Sequence, residues 1–198
     1  MKLRDFQKKM KKTIFTWEEA CRVAWQTSSQ VLRLELFNWR KKGDIQMLKR
    51  GLYCFPDRVT SKIEVAQHLY SPCYISLDWA LHYYELLPDV VFSMTLVSPR
   101  GSRKFRTPFG EFIYHKVKPD FFWGYDPSTL MATPEKAILD YFYFKSAHCF
   151  PKQDFWIEMR WQNLELINFR KIKEWAKKLG IQKIIKLIGS LEDHAKIK

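Results

Sequence analysis

The sequence predicts an α+β chain in two parts, an N-terminal winged helix-turn-helix over residues 1–57 and a mixed domain over 61–198 that combines a small antiparallel sheet with several helices. Three observations carry that expectation. Residues 28–55 read as a serine-capped helix closed by Gly43, followed at once by two short apolar runs, 44–48 and 51–55, joined by Lys49-Arg50. Residues 90–117 change to the β-rich, alternating pattern of strands, and residues 61–86 and 134–194 carry helical spacing broken by Ser71-Pro72, Pro88 and Gly180.

Composition sets the limits. At 198 residues and 46% hydrophobic, the chain is ordinary for a folded protein, which excludes disorder. The formal net charge of +13 is unevenly placed: residues 1–60 carry 14 Lys and Arg against 6 Asp and Glu, residues 61–150 carry 9 against 9, and residues 151–198 carry 11 against 6. A basic head and tail around a neutral middle suit an anionic partner for the head, most economically nucleic acid, and they equally suit basic helices that are simply solvated. Cys21, Cys54, Cys73 and Cys149 form no Cys-x-x-Cys pair, and residues 1–12 are too charged for an apolar leader, so the expectation is a reduced, cytoplasmic protein. The five histidines form no pair at ligand spacing, no cofactor motif is present, and no apolar run approaches the ~20 residues that span a bilayer.

In residues 1–12, Leu3, Phe6 and Met10 fall at three- and four-residue steps among six Lys and Arg, which predicts a short amphipathic helix. Thr16-Trp17-Glu18-Glu19 matches a capping box and opens a second helix to about Trp25. In the third helix Leu32, Leu36 and Trp39, with Val31 and Leu34 beside them, fit an inward face, and Gln30, Arg33, Phe37, Arg40 and Lys41 an outward one. An arginine fork can hold guanine O6 and N7, and glutamine can do the same for adenine N6 and N7. Phe37 can touch a thymine methyl, pack on the hairpin or join a dimer contact. Arg40, Lys41 and Lys42 also occupy the last turn, where cations favour the helix dipole whatever the ligand. Lys49 and Arg50 stand at the hairpin tip, where a wing meets phosphate. With Ser28 and Ser29 at the helix start, these are the expected DNA-binding residues.

Pro56-Asp57 opens a candidate linker over 56–60. Ser61 can cap a helix through Leu69, and Ser76 another from Leu77 to about Leu86. Strands at 90–97, 104–107 and 111–117 predict a sheet of three or four antiparallel strands. Thr133-Pro134-Glu135 opens a largely buried helix to about Phe144, with threonine as cap and a carboxylate at the positive end. Basic amphipathic helices are expected at about 152–160, 168–179 and 182–193. Acid-base chemistry is not expected: Glu135 and Asp140 lie five residues apart and share no face closely, so Glu135 reads as serving the helix N-terminus, Asp140 as bonding a backbone or an arginine, and Ser76 as a cap. Phe121, Phe122, Trp123 and Tyr125, with Lys118 as the nearby cation, read as packing rather than as a base-stacking platform. Arg170, Lys171, Lys173, Lys177, Lys178, Lys183 and Lys186 form a second basic surface that could hold tRNA, a further stretch of DNA, or only water.

Residues 36–55 (LFNWRKKGDIQMLKRGLYCF), 71–87 (SPCYISLDWALHYYELL) and 132–140 (ATPEKAILD), extended by the Thr-Pro-Phe-Gly and Phe-Trp-Gly-Tyr stretches of 105–125, resemble the AbiEi family, the antitoxins of bacterial type IV toxin-antitoxin, abortive-infection systems. The likeness covers roughly residues 16–144. It implies a winged helix that represses its own operon at inverted repeats, two copies on the DNA, and a C-terminal domain that neutralises a nucleotidyltransferase toxin, AbiEii, without a stable complex. It also implies that Tyr74, Ser76, Thr133, Pro134, Glu135, Lys136 and Asp140 form the motif of that second domain, and it makes tRNA the substrate class of the toxin. Two departures stand out: Glu85 occupies a position where the family usually has glycine, and residues from about 150 onward match weakly. The competing expectation is a non-enzymatic RNA-binding or protein-interaction module built on a winged-helix scaffold.

Overall fold

Where each helix begins is decided locally, by side chains that satisfy the backbone N–H groups a helix leaves open. In the computed structural model, which describes residues 1–59 and 61–197, the chain divides into two units: Met1–Ser71 with Lys104–Phe112, and Pro72–Arg103 with the residues from Ile113 onward.

The first unit runs α1 (Leu3–Lys9), β1 (Ile14–Thr16), α2 (Trp17–Val23), α3 (Ser29–Lys42), β2 (Gln46–Lys49), β3 (Leu52–Cys54) and α4 (Lys62–Leu69). Thr16 and Glu19 form the expected capping box: the Glu19 N–H donates to Thr16 Oγ1 at 3.3 Å and the Thr16 N–H to Glu19 Oε2 at 2.8 Å. The strands form one antiparallel sheet in the order β1-β3-β2. Strand β1 was not expected, because three residues are too few to show a period. Phe6, Phe15, Trp39 and Phe55 make the aromatic centre, with Phe6 5.5 Å from Phe15 and 5.2 Å from Trp39, and Phe15 5.1 Å from Phe55.

Helix α3 buries Leu32, Leu36 and Trp39 as expected, but Val31 and Leu34 are 48% and 60% exposed and do not belong to the inward face. At about 100° per residue, Leu34 lies almost opposite the midpoint of the buried triad. Of the candidate linker, residues 56–59 are described and Thr60 lies outside the described residues. Pro56–Arg58 is a 3-10 turn, and the Arg58 guanidinium donates to the Met10 and Gln7 carbonyls at 3.0 and 3.3 Å while lying 4.3 Å from the centre of the Phe55 ring. The main stretch of the unit ends at Ser71, beyond the boundary at 57 read from the sequence.

The remaining elements are β4 (Tyr74–Ile75), α5 (Leu77–Tyr83), β5 (Ser93–Ser98), β6 (Arg103–Thr107), β7 (Gly110–Lys116), β8 (Tyr125–Asp126), β9 (Met131–Ala132), α6 (Pro134–Lys145), α7 (Gln153–Met159), α8 (Phe169–Leu179) and α9 (Gln182–Ile197); all belong to the second unit except β6 after Arg103 and β7 up to Phe112, which belong to the first. The strand order is β6-β7-β5-β4-β9-β8. This sheet is larger than the three or four antiparallel strands expected, and β4 runs parallel to β9 through Ile75 and Met131. Strands of two residues carry no hydrophobic alternation, so β4, β8 and β9 could not be read from the sequence. The class is α+β.

Helix α6 is the buried axis of this unit, with Glu135 through Phe142 all buried and α5, α8 and α9 packed around it. Thr133 caps it as expected, its hydroxyl accepting from the Lys136 N–H at 3.4 Å. Trp156 and Trp161 are fully buried near Phe142, and the Trp156 indole donates to Ser190 Oγ at 2.8 Å. Helix α5 stops at Tyr83, and the chain turns with Glu85 in the left-handed region at φ 54°. Among the described residues no helix is long and apolar enough to cross a membrane.

Candidate nucleic-acid interface

Ser28 opens α3 with its hydroxyl accepting from the Val31 N–H at 3.4 Å, and Gly43 closes it in the left-handed conformation at φ 85°. Between these caps one stripe points directly away from the core: Gln30, Leu34, Phe37 and Lys41, all exposed. Arg33 and Arg40 flank it, and Ser29 and Lys42 are exposed at its two ends. Both arginines are steadied by neighbours, the Arg33 guanidinium 5.2 Å from the centre of the Trp17 ring and that of Arg40 6.0 Å from Phe37 with Nη1 3.3 Å from Met47 Sδ. A planar cation held over an aromatic ring loses less freedom when it meets a second partner.

At the hairpin tip the two cations differ. Arg50 is exposed beside Gly51, which supplies the positive φ of 77° that the turn needs. Lys49 is half-buried: its ammonium donates to the Leu69 carbonyl and lies 5.6 Å from the centre of the Phe105 ring. Its charge is therefore engaged within the first unit, and Arg50 is the cation that the tip presents outward.

In the second unit the motif residues converge. Asp140 is 2% exposed; Tyr74 Oη and Ser76 Oγ donate to its Oδ2 at 2.9 and 2.8 Å, and the Lys136 ammonium pairs with Oδ1. Burial raises the Asp140 carboxyl, opposed by Lys136, and lowers the Lys136 ammonium, opposed by Asp140. Two expectations are overturned here. Ser76 makes no capping bond and turns its hydroxyl to Asp140, and the partner of Asp140 is a lysine one helical turn away rather than an arginine or backbone. Glu135 does lie in the first turn of α6 and also pairs with Lys171, at 3.3 Å. Buried thiols nearby are unsuited to nucleophilic chemistry: burial pushes Cys73 up to about 12.

The tail is less uniformly free than its composition suggests. Arg170 pairs with Glu174 at 3.5 Å, Lys171 with Glu135, and Lys173 with Glu192. Lys177, Lys178, Lys183 and Lys186 are exposed and form no ion pair among the described residues. The aromatics of 121–125 split into two groups. Phe122 and Tyr125 pack on Tyr74, the latter stacked at 4.7 Å and 8°, as the packing expectation had it. Trp123 instead meets Trp175 of α8 edge to face at 4.8 Å, with the Lys136 ammonium 4.9 Å from its ring and that of Lys171 4.7 Å from the ring of Trp175. Trp175 was not singled out in the sequence, where only its place in an amphipathic helix marks it. Comparison of the chain with protein-family models and with characterised proteins finds no match.

Proposed function

We propose that the first unit is a winged helix that binds duplex DNA through α3 and the β2–β3 tip, and that the protein is a cytoplasmic, non-enzymatic antitoxin of the type IV class. Two copies bind inverted repeats and repress the protein's own operon, and the second unit neutralises a nucleotidyltransferase toxin without a stable complex. The observation that carries the DNA reading is the outward face of α3: a glutamine, a lysine and two arginines around two exposed apolar side chains, on a helix followed at once by a hairpin with Arg50 at its tip. A single helix fits the major groove, and these side-chain types match base edges and phosphates. The antitoxin reading rests on the resemblance. The buried network gives two of its runs, 71–87 and 132–140, a physical role, because Tyr74 and Ser76 of the first meet Asp140 at the end of the second. That role is to hold the fold, which leaves neutralisation to the surface of the second unit.

The test is a gel shift of the full-length protein on the DNA immediately upstream of its gene, against a scrambled duplex, at two salt concentrations. Binding to the upstream DNA is expected to exceed binding to the scrambled duplex about a thousandfold and to fall steeply with salt. Arg33→Ala or Arg40→Ala should cost roughly 1–3 kcal/mol at one base position, and Arg50→Ala should weaken all sequences alike. Equal, weak binding to both duplexes would refute the repressor.

A further inference from the structure

The meeting of Trp123 with Trp175 forms one wall of a cavity of about 480 Å³ in the second unit, lined by Asp120, Phe121, Trp123, Trp175, Lys178 and Leu179. That volume is in the range of about 300–1,000 Å³ that small-molecule sites occupy. Three of the six lining residues are aromatic, and one is a lysine without an ion pair among the described residues. The indoles are held in place from several sides. Trp123 Nε1–H donates to the Asp120 carbonyl at 2.9 Å, and Lys136 and Lys171 lie over the two rings. Neither of those lysines lines the cavity, so Lys178 is the cation presented to it.

We propose that this cavity binds an unpaired nucleotide, the base packing on the Trp123–Trp175 wall and the phosphate pairing with Lys178. Fixed aromatic faces suit a base, since every base has a π-face to stack, and a lysine at the rim suits the phosphate that follows it. The single lining carboxylate sets the orientation. Asp120 would repel a phosphate placed beside it but accepts hydrogen bonds from an exocyclic amino group, so the base lies on its side of the cavity and the phosphate on that of Lys178. Lys177 adjoins Lys178 in sequence and Lys118 lies two residues before Asp120; both are exposed, so the segments that line the cavity carry further positive charge for a strand. Segregation along the chain hid this site: Trp123 has one nearby lysine in sequence, and α8 supplies the second indole and the cation from more than fifty residues away. The proposal does not depend on DNA binding by the first unit.

An unpaired nucleotide can come from a single-stranded RNA or from a free mononucleotide, and the experiment separates the two. Binding of a labelled single-stranded RNA of about eight nucleotides to the full-length protein is followed by fluorescence anisotropy, with AMP and GMP as competitors and the same RNA in duplex form as a second probe. The single strand is expected to bind better than the duplex. Trp175→Leu and Lys178→Glu should each weaken it about tenfold, Trp175→Phe should retain it, and Arg33→Ala should leave it unchanged. Competition by AMP or GMP at the concentration at which the RNA itself binds identifies a free nucleotide as the ligand, and its absence identifies a strand; either supports the site. Lys178 is exposed, so its charge reversal keeps the fold, which an unchanged melting temperature verifies. Failure of both probes to bind, tighter binding of the duplex, or wild-type affinity in folded Trp175→Leu and Lys178→Glu proteins would overturn the proposal and leave the repressor reading standing.

Discussion

Asp140 ties α6 to the Tyr74–Ser76 segment, because two donors from that distant segment and a third from Lys136, one helical turn away, meet on its carboxylate. Removing it would leave the ammonium of Lys136, itself 1% exposed, buried without its counter-charge. Asp140→Ala is therefore expected to cost about 3–5 kcal/mol in urea unfolding, and Lys136→Met combined with Asp140→Leu to recover only part of that loss, because the buried Tyr74 and Ser76 hydroxyls still lack their acceptor. A loss under about 1 kcal/mol for the single variant would show that water reaches the pair. Glu85 tests a different kind of strain. It sits at φ 54° with its side chain exposed, where a Cβ costs roughly 1 kcal/mol. Glu85→Gly should raise stability by about 0.5–1 kcal/mol, read as a higher melting temperature. A lower one would mean that the greater freedom of glycine in the unfolded chain outweighs the relief.

At the scale of elements, α3 shows how a helix can be located and oriented correctly while two apolar residues are assigned to the wrong side. Its caps, Ser28 and Gly43, lie where the sequence puts them, and its buried residues include all three on which the inward face was built. Leu34 was added to that face because it is apolar, whereas the 3.6-residue period sends it outward beside Phe37 and Gln30. An outward leucine and phenylalanine beside a glutamine suit a thymine methyl next to an adenine. On a duplex selected by the protein from a random pool, replacing half-site thymines by deoxyuridine is accordingly expected to cost about 0.8 kcal/mol per contacted methyl, and Leu34→Ala should abolish most of that difference. Equal affinity for both duplexes would exclude methyl contacts. Short strands fared worse than helices: β1, β4, β8 and β9 have two or three residues each, and β1 and β4 pair with partners remote in sequence.

At the scale of the whole molecule, the excess of positive charge in head and tail was legible, but its availability was not. In the tail three of seven singled-out cations are tied to Glu174, Glu135 and Glu192, and in the head Lys49 turns to Leu69 while Arg50 stays exposed. Charge counts report how many cations a segment has, and tertiary pairing decides how many a ligand meets. The two units differ in the same way. The first is assembled largely from segments adjacent in sequence, so its order of helix and hairpin could be read almost directly. The second is closed by pairs such as Tyr74 with Asp140, Trp123 with Trp175 and Gln153 with His194.

The sequence by itself determined the α+β class, the starts of the capped helices, the buried character of α6 and the cationic face of α3, because each depends on spacing and chemistry within a few residues. Tertiary structure alone decided that Ser76 serves Asp140 instead of its own helix, that Asp140 answers to Lys136, and that a tryptophan from the loop before β8 and one from α8 share a cavity with Lys178. The physical reason is range. Caps and periodicity act over one or two turns, whereas a buried polar network or a binding cavity takes its groups from wherever the packed core brings them.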